Sequence, residues 1–171
     1  LGFLGFVYRE IKRSVTDMET MFLLFREKVE VANLPGAKKL QVKRGEIEFA
    51  DVSFGYLPER AVLKGLKFRV APRETLAIVG PSGSGKSTIT RLLLRLYDTQ
   101  NGKILIDGQD IKMITQESLR GSIAIVSQDT ILFNETIYYN IAYGRPDASP
   151  GKVEEAARLA CIHEFIMKQP N

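Results

Sequence analysis

The 171-residue chain is 44% hydrophobic and 26% charged, which suits one globular domain with a real core. Its 24 Lys+Arg against 20 Asp+Glu leave a net +4, but the basic residues lie scattered in pairs (Lys12-Arg13, Lys38-Lys39, Lys43-Arg44) with little aromatic interleaving. That pattern fits solvated faces and no nucleic-acid partner. The single Cys161 excludes a disulfide framework and a cysteine metal cluster, and is consistent with a reducing compartment.

Residues 1–31 carry one long helical pattern. Leu4, Tyr8, Ile11, Val15, Met18, Phe22, Phe25 and Val29 recur in alternating steps of four and three, a coiled-coil-like period. The first eight residues are apolar all round. They are too few to cross a bilayer, which takes about 20. From the residues alone the segment reads equally as the cytoplasmic end of a spanning helix or as a soluble packing helix. No complete transmembrane segment or signal peptide is present in the sequence. The chain begins at Leu1 and ends at Gln169-Pro170-Asn171 directly after a helical pattern, so both ends read as cut from a longer polypeptide.

Asn33-Leu34-Pro35-Gly36 ends the helical pattern, and residues 37–44 read as a basic linker. Strand patterns follow. Ile47 and Phe49 alternate with Glu46 and Glu48, and Val52, Phe54 and Tyr56 continue on shifted parity, which predicts a β-bulge. Leu66, Phe68 and Val70 alternate with Lys67 and Arg69, and Pro72-Arg73 predicts a turn. Thr75-Leu76-Ala77-Ile78-Val79 is an apolar run of strand type, and residues 89–97 carry leucines at helical spacing. Further on, Asn101-Gly102 and Asp107-Gly108 bracket a short strand at 103–106, and Thr115 is placed to cap a helix through Arg120. Ile123-Ala124-Ile125-Val126 reads as a buried strand with Ser127-Gln128-Asp129 at its carboxyl end. Ser149 and Pro150 open a helix predicted to run through Ala156, Ala160 and Ile166.

Between the strand run at 75–79 and the helix at 89–97 lies Gly80-Pro81-Ser82-Gly83-Ser84-Gly85-Lys86-Ser87-Thr88. It fits the phosphate-binding pattern of Gly, four free positions, then Gly-Lys-Ser. A chance match over a chain of this length is below roughly 1%. Strand, loop and helix stand in the order the motif requires. Gly80, Gly83 and Gly85 let backbone amides approach an anion, and those amides with the positive end of the following helix make a nest for phosphate oxygens. Lys86 is expected to reach the β- and γ-phosphates, Ser87 to ligate Mg²⁺, and Thr88 to support the α-phosphate side.

With that motif placed, most of the chain resembles the nucleotide-binding domain of an ABC transporter, of the exporter type with fused membrane helices. Gly45-Glu46-Ile47-Glu48-Phe49 through Val52-Ser53-Phe54-Gly55-Tyr56 is similar to the start of such a domain, and Tyr56 matches its adenine-stacking aromatic. Gln128, 42 positions after Lys86, matches the glutamine that ligates Mg²⁺ or orients the attacking water and couples the site to the membrane domain. Thr130-Ile131-Leu132-Phe133-Asn134 and residues 137–144 resemble the start of the helical subdomain. The segments Tyr8-Arg9-Glu10-Ile11 and Asp17-Met18-Glu19-Thr20-Met21-Phe22 are similar to the last membrane helix of mitochondrial and heavy-metal-tolerance half-transporters.

The resemblance implies an α/β fold: a P-loop NTPase core with an antiparallel β subdomain, preceded by a long helix that ends a transmembrane domain. It divides the chain into a membrane-helix end at 1–32, a linker at 33–45 and the amino-terminal part of a nucleotide-binding domain at 46–171. It implies ATP and Mg²⁺ as ligands, and a second nucleotide-binding domain, in a homodimer, as partner beside the chain's own membrane domain. The location it implies is the mitochondrial inner or a vacuolar membrane, with this domain on the cytosol or matrix side. Cargo would be glutathione- or thiol-linked, porphyrin or metal-related.

A Leu-Ser-Gly-Gly-Gln signature is absent from the sequence, as is any Asp-Glu dipeptide to supply a Walker B aspartate and catalytic glutamate. The chain alone is therefore expected to bind Mg-ATP without hydrolysing it. Ile104-Leu105-Ile106-Asp107 imitates such a strand, but Gly108 follows and a tight antiparallel turn explains it better. His163 reads as an ordinary helix residue. The alternative function is a soluble P-loop ATPase or nucleotide-binding module not coupled to transport. No Asn-Lys-x-Asp base reader for a GTPase occurs.

Overall fold

A computed structural model describes residues 2–26, 29–57, 59–128 and 131–169. The chain divides into two compact units, Leu1–Ala124 and Ile125–Asn171.

The first unit opens with helix α1 (Gly2–Arg26), which carries the predicted periodicity. Leu1 and residues 27 and 28 of the expected helix lie outside the described residues, and 29–31 are not helical. The apolar stripe is exposed at Leu4, Tyr8, Ile11, Val15, Met18 and Phe22. No described helix is long and apolar enough to cross a membrane.

The core is a four-stranded antiparallel sheet in the order β2-β1-β3-β4, built from β1 (Ile47–Phe54), β2 (Leu63–Val70), β3 (Asn101–Ile106) and β4 (Gln109–Asp110). The bulge expected in β1 is present. Register shifts separate Phe49 from Val52 and Val52 from Phe54, and Asp51 takes φ 58°. The extra residue restores Val52 and Phe54 to the face of Phe49, so all three are buried. Gly102 makes that bulge sterically possible, because a Cβ there would lie 2.3 Å from the Asp51 carbonyl oxygen.

Against the sheet pack helix α2 (Lys86–Leu93) through Leu92, a 3-10 turn (Ile111–Met113) through Ile111, and helix α3 (Gln116–Arg120) through Leu119. The predicted turn at Pro72-Arg73 forms, closed by Glu74 N–H donating to the Ala71 carbonyl at 3.1 Å. Asp107 turns β3 into β4 as a hairpin. Its carboxylate accepts from the backbone N–H groups of Lys43, Arg44, Gly45 and Glu46 at 2.7–3.1 Å. Those bonds, with Arg44's the largest, hold it well below the usual carboxylate range.

Several local expectations are corrected. The helix expected over 89–97 closes at Leu93. Arg95 takes φ 51°, the Arg95 N–H reaches the Leu92 carbonyl and the Leu96 N–H reaches the Arg91 carbonyl, a left-handed cap that ends the helix. The runs at 75–79 and 123–126 do not form strands, and Val79 and Val126 are 89% and 99% exposed. Apolar runs of this kind are stable strands only with hydrogen-bonded neighbours and cover on both faces. Neither has a ladder partner among the described residues. Thr115 holds the N-cap position of α3, but its side chain makes no capping bond. Asn33, 83 residues earlier, supplies the acceptor for Gln116 N–H at 2.9 Å.

That bond is one of several that lace residues 31–46 onto the sheet unit. Lys38 N–H donates to Met113, Thr115 N–H donates to Lys38, and Leu40 N–H donates to Ser118 Oγ. Gln109 brackets Gln41 with both amide atoms.

In the second unit, α4 (Ile137–Ala142) is capped by Thr136, whose Oγ1 accepts from Tyr139 N–H. Asn140 folds back to hold the Phe133 N–H and carbonyl. Helix α5 (Pro150–Leu159) begins at the predicted Ser149-Pro150 signal. It does not continue to Ile166 as expected. Cys161 takes φ 58°, Cys161 and Ile162 N–H close onto Arg158 and Ala157, and α6 (His163–Ile166) restarts after the break. His163 is indeed a helix residue. Asp129 and Thr130 lie outside the described residues.

Candidate phosphate-binding site

The loop from Gly80 to Gly85 leads into α2, with Gly85 at the N-cap in the left-handed region (φ 92°). A Cβ on Gly85 would lie 2.9 Å from Leu63 Cδ2 and 3.1 Å from Val62 Cγ1, so the helix start can approach β2 only because this residue has no side chain. The loop's own turn is closed by Ser84 N–H on the Pro81 carbonyl at 3.3 Å.

Lys86 folds back across this loop. Its Nζ donates to the carbonyls of Gly80 and Pro81, both at 2.7 Å. An ammonium has three donors. Two therefore fasten the cation beside the loop backbone, where its charge adds to the positive end of α2. Of the first-turn amides of α2, Thr88 N–H already donates to the Gly85 carbonyl at 3.0 Å, which leaves those of Lys86 and Ser87 without an acceptor in the helix. The chemistry of the arrangement is anion binding: oriented N–H groups, a helix N-terminus and one fixed cation.

Ser87 is exposed in the first turn of α2. Its hydroxyl is a hard oxygen donor of the kind Mg²⁺ takes as one of a few protein ligands beside phosphate oxygens. Thr88 points elsewhere: it is 4% exposed, and its Oγ1 shares a 3.1 Å hydrogen bond with the Tyr56 hydroxyl. Pro81, Ser82, Gly83 and Ser84 are exposed along the loop.

Tyr56 follows β1 and stands beside the loop. Its ring meets Phe54 and Tyr97 edge-on, at centroid distances of 5.0 and 5.2 Å, and remains 42% exposed. A cleft of ≈ 370 Å³ is lined by Tyr56, Leu57, Arg60, Val62, Gly83 and Ser84 among others, joining the aromatic ring to the glycine loop. Arg91 donates to the Tyr56 hydroxyl at 3.0 Å. Burial pushes the Tyr56 phenol up, but the hydrogen bonds to Thr88 and Arg91 and the Arg91 charge outweigh it and leave it below its ordinary value.

The geometry thus brings Tyr56, residues 80–86 and Thr88 around one cleft and helix end. Gln128 is exposed in a bend of the second unit. No group of metal-ligating His, Cys, Asp or Glu side chains occurs among the described residues.

Two residues escape reading by motif. Arg91 meets Tyr56 from 35 positions away, a contact with no local signal. Arg95 is the largest fully buried side chain, and the one available hint was a charge inside the apolar run Leu92-Leu93-Leu94-Arg95-Leu96. It donates to Asp98 Oδ1 at 2.9 Å, to the Ile114 carbonyl at 3.0 Å and to the Ala32 carbonyl at 2.9 Å. One guanidinium therefore joins the end of α2 to the segment that follows α1.

Comparison with known proteins gives the chain's relatives. The profile of the ABC transporter family matches residues 63–170. The chain is 53% identical over 170 residues to the ATM1-type heavy metal exporter of Novosphingobium aromaticivorans, covering 99% of this chain and 28% of that protein. It is 54% identical over 168 residues to the mitochondrial iron-sulfur clusters transporter atm1 of Neurospora crassa, covering 98% of this chain and 24% of that protein. It is 52% identical over 170 residues to human ATP-binding cassette sub-family B member 6, covering 99% of this chain and 20% of that protein. Among solved structures, a bacterial Atm1-family ABC exporter with ATP bound superposes with a TM-score of 0.89 at 53% identity, over 98% of this chain and 29% of that one. The chain spans about a quarter of the length of these relatives.

Proposed function

Because the chain belongs to the ABC transporter family, we propose that it is the ATP-binding part of an exporter that couples ATP hydrolysis to transport across a membrane. The fold class agrees: an α/β P-loop domain with an antiparallel β subdomain, of the kind found in the Atm1-family exporter. The observation that carries the proposal is Lys86 held 2.7 Å from the Gly80 and Pro81 carbonyls at the start of α2, beside the cleft under Tyr56.

In this reading Tyr56 stacks on adenine, while Gly80, Pro81, Ser82, Gly83, Ser84 and Gly85 surround the phosphates with backbone amides. Lys86 stabilises charge on the β- and γ-phosphates, and Thr88 fixes Tyr56 from the helix side. Ser87 and Gln128 are the residues that would hold Mg²⁺, with Gln128 also orienting the attacking water. Mg²⁺, when bound, neutralises the negative charge of the phosphate oxygens. The neutral amide of Gln128 adds no further negative charge beside those oxygens.

Hydrolysis needs groups this chain does not carry, since no Asp-Glu pair or Leu-Ser-Gly-Gly-Gln segment occurs in its 171 residues. The partner would be a second nucleotide-binding domain in a homodimer of half-transporters. Residues 1–32 would be the cytoplasmic end of the last membrane helix, 33–45 the connection, and 46–171 the amino-terminal part of the nucleotide-binding domain. The relatives are named for heavy metals and iron-sulfur clusters. The cargo proposed here is metal-related, porphyrin or thiol-linked, in a mitochondrial inner or vacuolar membrane with this domain on the matrix or cytosol side.

Calorimetric titration with Mg-ATP tests the site. Lys86→Ala is expected to weaken binding about 100-fold or more, the loss of a charge-assisted contact to phosphate. Wild-type binding unchanged by Lys86→Ala refutes it, and ATP turnover by this chain that vanishes in Lys86→Ala refutes the division between binding and hydrolysis.

A further inference from the structure

Tyr56 is held by its hydroxyl rather than by its ring alone. Phe54 and Tyr97 meet the ring edge-on and leave part of its surface exposed. The hydroxyl lies between two side chains of α2: Thr88 Oγ1 at 3.1 Å and an Arg91 guanidinium nitrogen at 3.0 Å. Thr88 and Arg91 sit one turn apart on one face of the helix whose amino end forms the phosphate loop. The guanidinium carbon is also 5.8 Å from the ring centroid, within cation–π range.

Two bonds from one helix to one phenol oxygen fix the ring at a set distance and tilt from the phosphate loop. The Thr88 bond is half-buried and neutral. The Arg91 bond is charge-assisted and comes from an exposed side chain that has no other hydrogen bond or ion pair among the described residues.

We propose that Arg91 is a positioning residue for base recognition: through the Tyr56 hydroxyl it locks the stacking ring to α2, so that base and phosphates are gripped by one rigid element. The inference rests on the nucleotide reading of the site and assigns to that site a residue outside the phosphate motif. Its consequence is selective. Losing Arg91 lets the ring tilt and weakens the grip on the base, while the phosphate loop, built from residues 80–87, is untouched.

The test compares Mg-ATP with a ligand that has phosphates and no base, magnesium tripolyphosphate, by calorimetry on the purified protein. Arg91→Ala is expected to weaken ATP about three- to tenfold, a fraction of what base stacking is worth. Tripolyphosphate affinity should change by less than about twofold, as for an independent site. Arg91→Lys should recover most of the ATP loss by keeping a charged donor to the hydroxyl. Tyr56→Phe, which keeps the ring and removes the hydroxyl, should lose a similar factor. The Arg91→Ala/Tyr56→Phe double variant should be no worse than the weaker single.

Equal losses for ATP and tripolyphosphate would mean a structural role only, and additive losses in the double variant would mean that Arg91 does not act through Tyr56. Either overturns the inference. Unchanged ATP affinity in Arg91→Ala, with both ligands still lost in Lys86→Ala, overturns it while leaving the phosphate site standing. Wild-type protein that binds neither ligand overturns both.

Discussion

Replacing Arg95 with Ala should be among the most damaging single changes in this chain. The side chain is 1% exposed and makes three hydrogen bonds of 2.9–3.0 Å, to Asp98, Ile114 and Ala32. Truncation strands the Ile114 carbonyl in the interior, costing about 1–3 kcal/mol, while the carbonyl of the exposed Ala32 can turn to water. Asp98 is 38% exposed and keeps water, so its share of the loss is small. With the packing of the aliphatic stem, the total is about 3–5 kcal/mol, against a whole-domain stability of about 5–15 kcal/mol.

The backbone supplies an internal control. Arg95 holds the left-handed cap of α2, a conformation that costs a non-glycine residue about 1–2 kcal/mol and glycine almost nothing. Arg95→Gly should therefore be about 1 kcal/mol more stable than Arg95→Ala, although both lose the same bonds. Urea unfolding followed by circular dichroism reads this directly, since a slope of about 1–3 kcal/mol/M turns 3–5 kcal/mol into a midpoint shift of more than about 1 M. A loss below about 1 kcal/mol in Arg95→Ala, or a glycine variant less stable than the alanine one, refutes the reasoning.

Two stability predictions stand beside the ligand-binding ones already given. The Asp107 carboxyl is depressed by four backbone donors, so it contributes stability that is complete above its unfolded value of about 3.9 and lost as pH falls toward its folded one. Asp107→Asn should destabilise the protein at pH 7 and flatten the acid limb of a stability-against-pH curve below about pH 4, and an unchanged acid limb contradicts this. Gly102→Ala places a Cβ 2.3 Å from the Asp51 carbonyl oxygen at φ 77°, so the β1–β3 bulge must open. Thermal unfolding should show a loss above about 2 kcal/mol, while Gly108→Ala, with nothing within 4 Å of its Cβ, should lose only the cost of its positive φ, about 1 kcal/mol.

The Arg95 network also ties α2 to the segment that follows α1. The phosphate loop opens α2, Arg95 closes it, and the Arg95 guanidinium ends on the Ala32 carbonyl just after α1. Gln116 adds bonds to Val31 and Asn33 at the same place. The segment after α1 is thus fastened to α2 and α3 by side chains rather than left as a free tether.

The amino-acid sequence by itself determined whatever depends on local chemistry. The Gly-Lys-Ser loop, the amphipathic period of α1, the shifted parity at Asp51, the turns at Pro72 and Asp107, and the start of α5 at Ser149-Pro150 all follow from backbone permissiveness or side-chain period over a few residues. Tertiary structure decided what depends on partners distant in the chain. Asn33 rather than Thr115 caps α3, Thr88 turns to Tyr56, and Arg91 and Arg95 find acceptors 35 and 63 residues away. The apolar runs at 75–79 and 123–126 make the same point from the other side. Their composition is that of buried strands, yet a strand exists only as a pairing, and hydrogen-bonded neighbours are a property of the assembled fold that no short stretch of sequence contains.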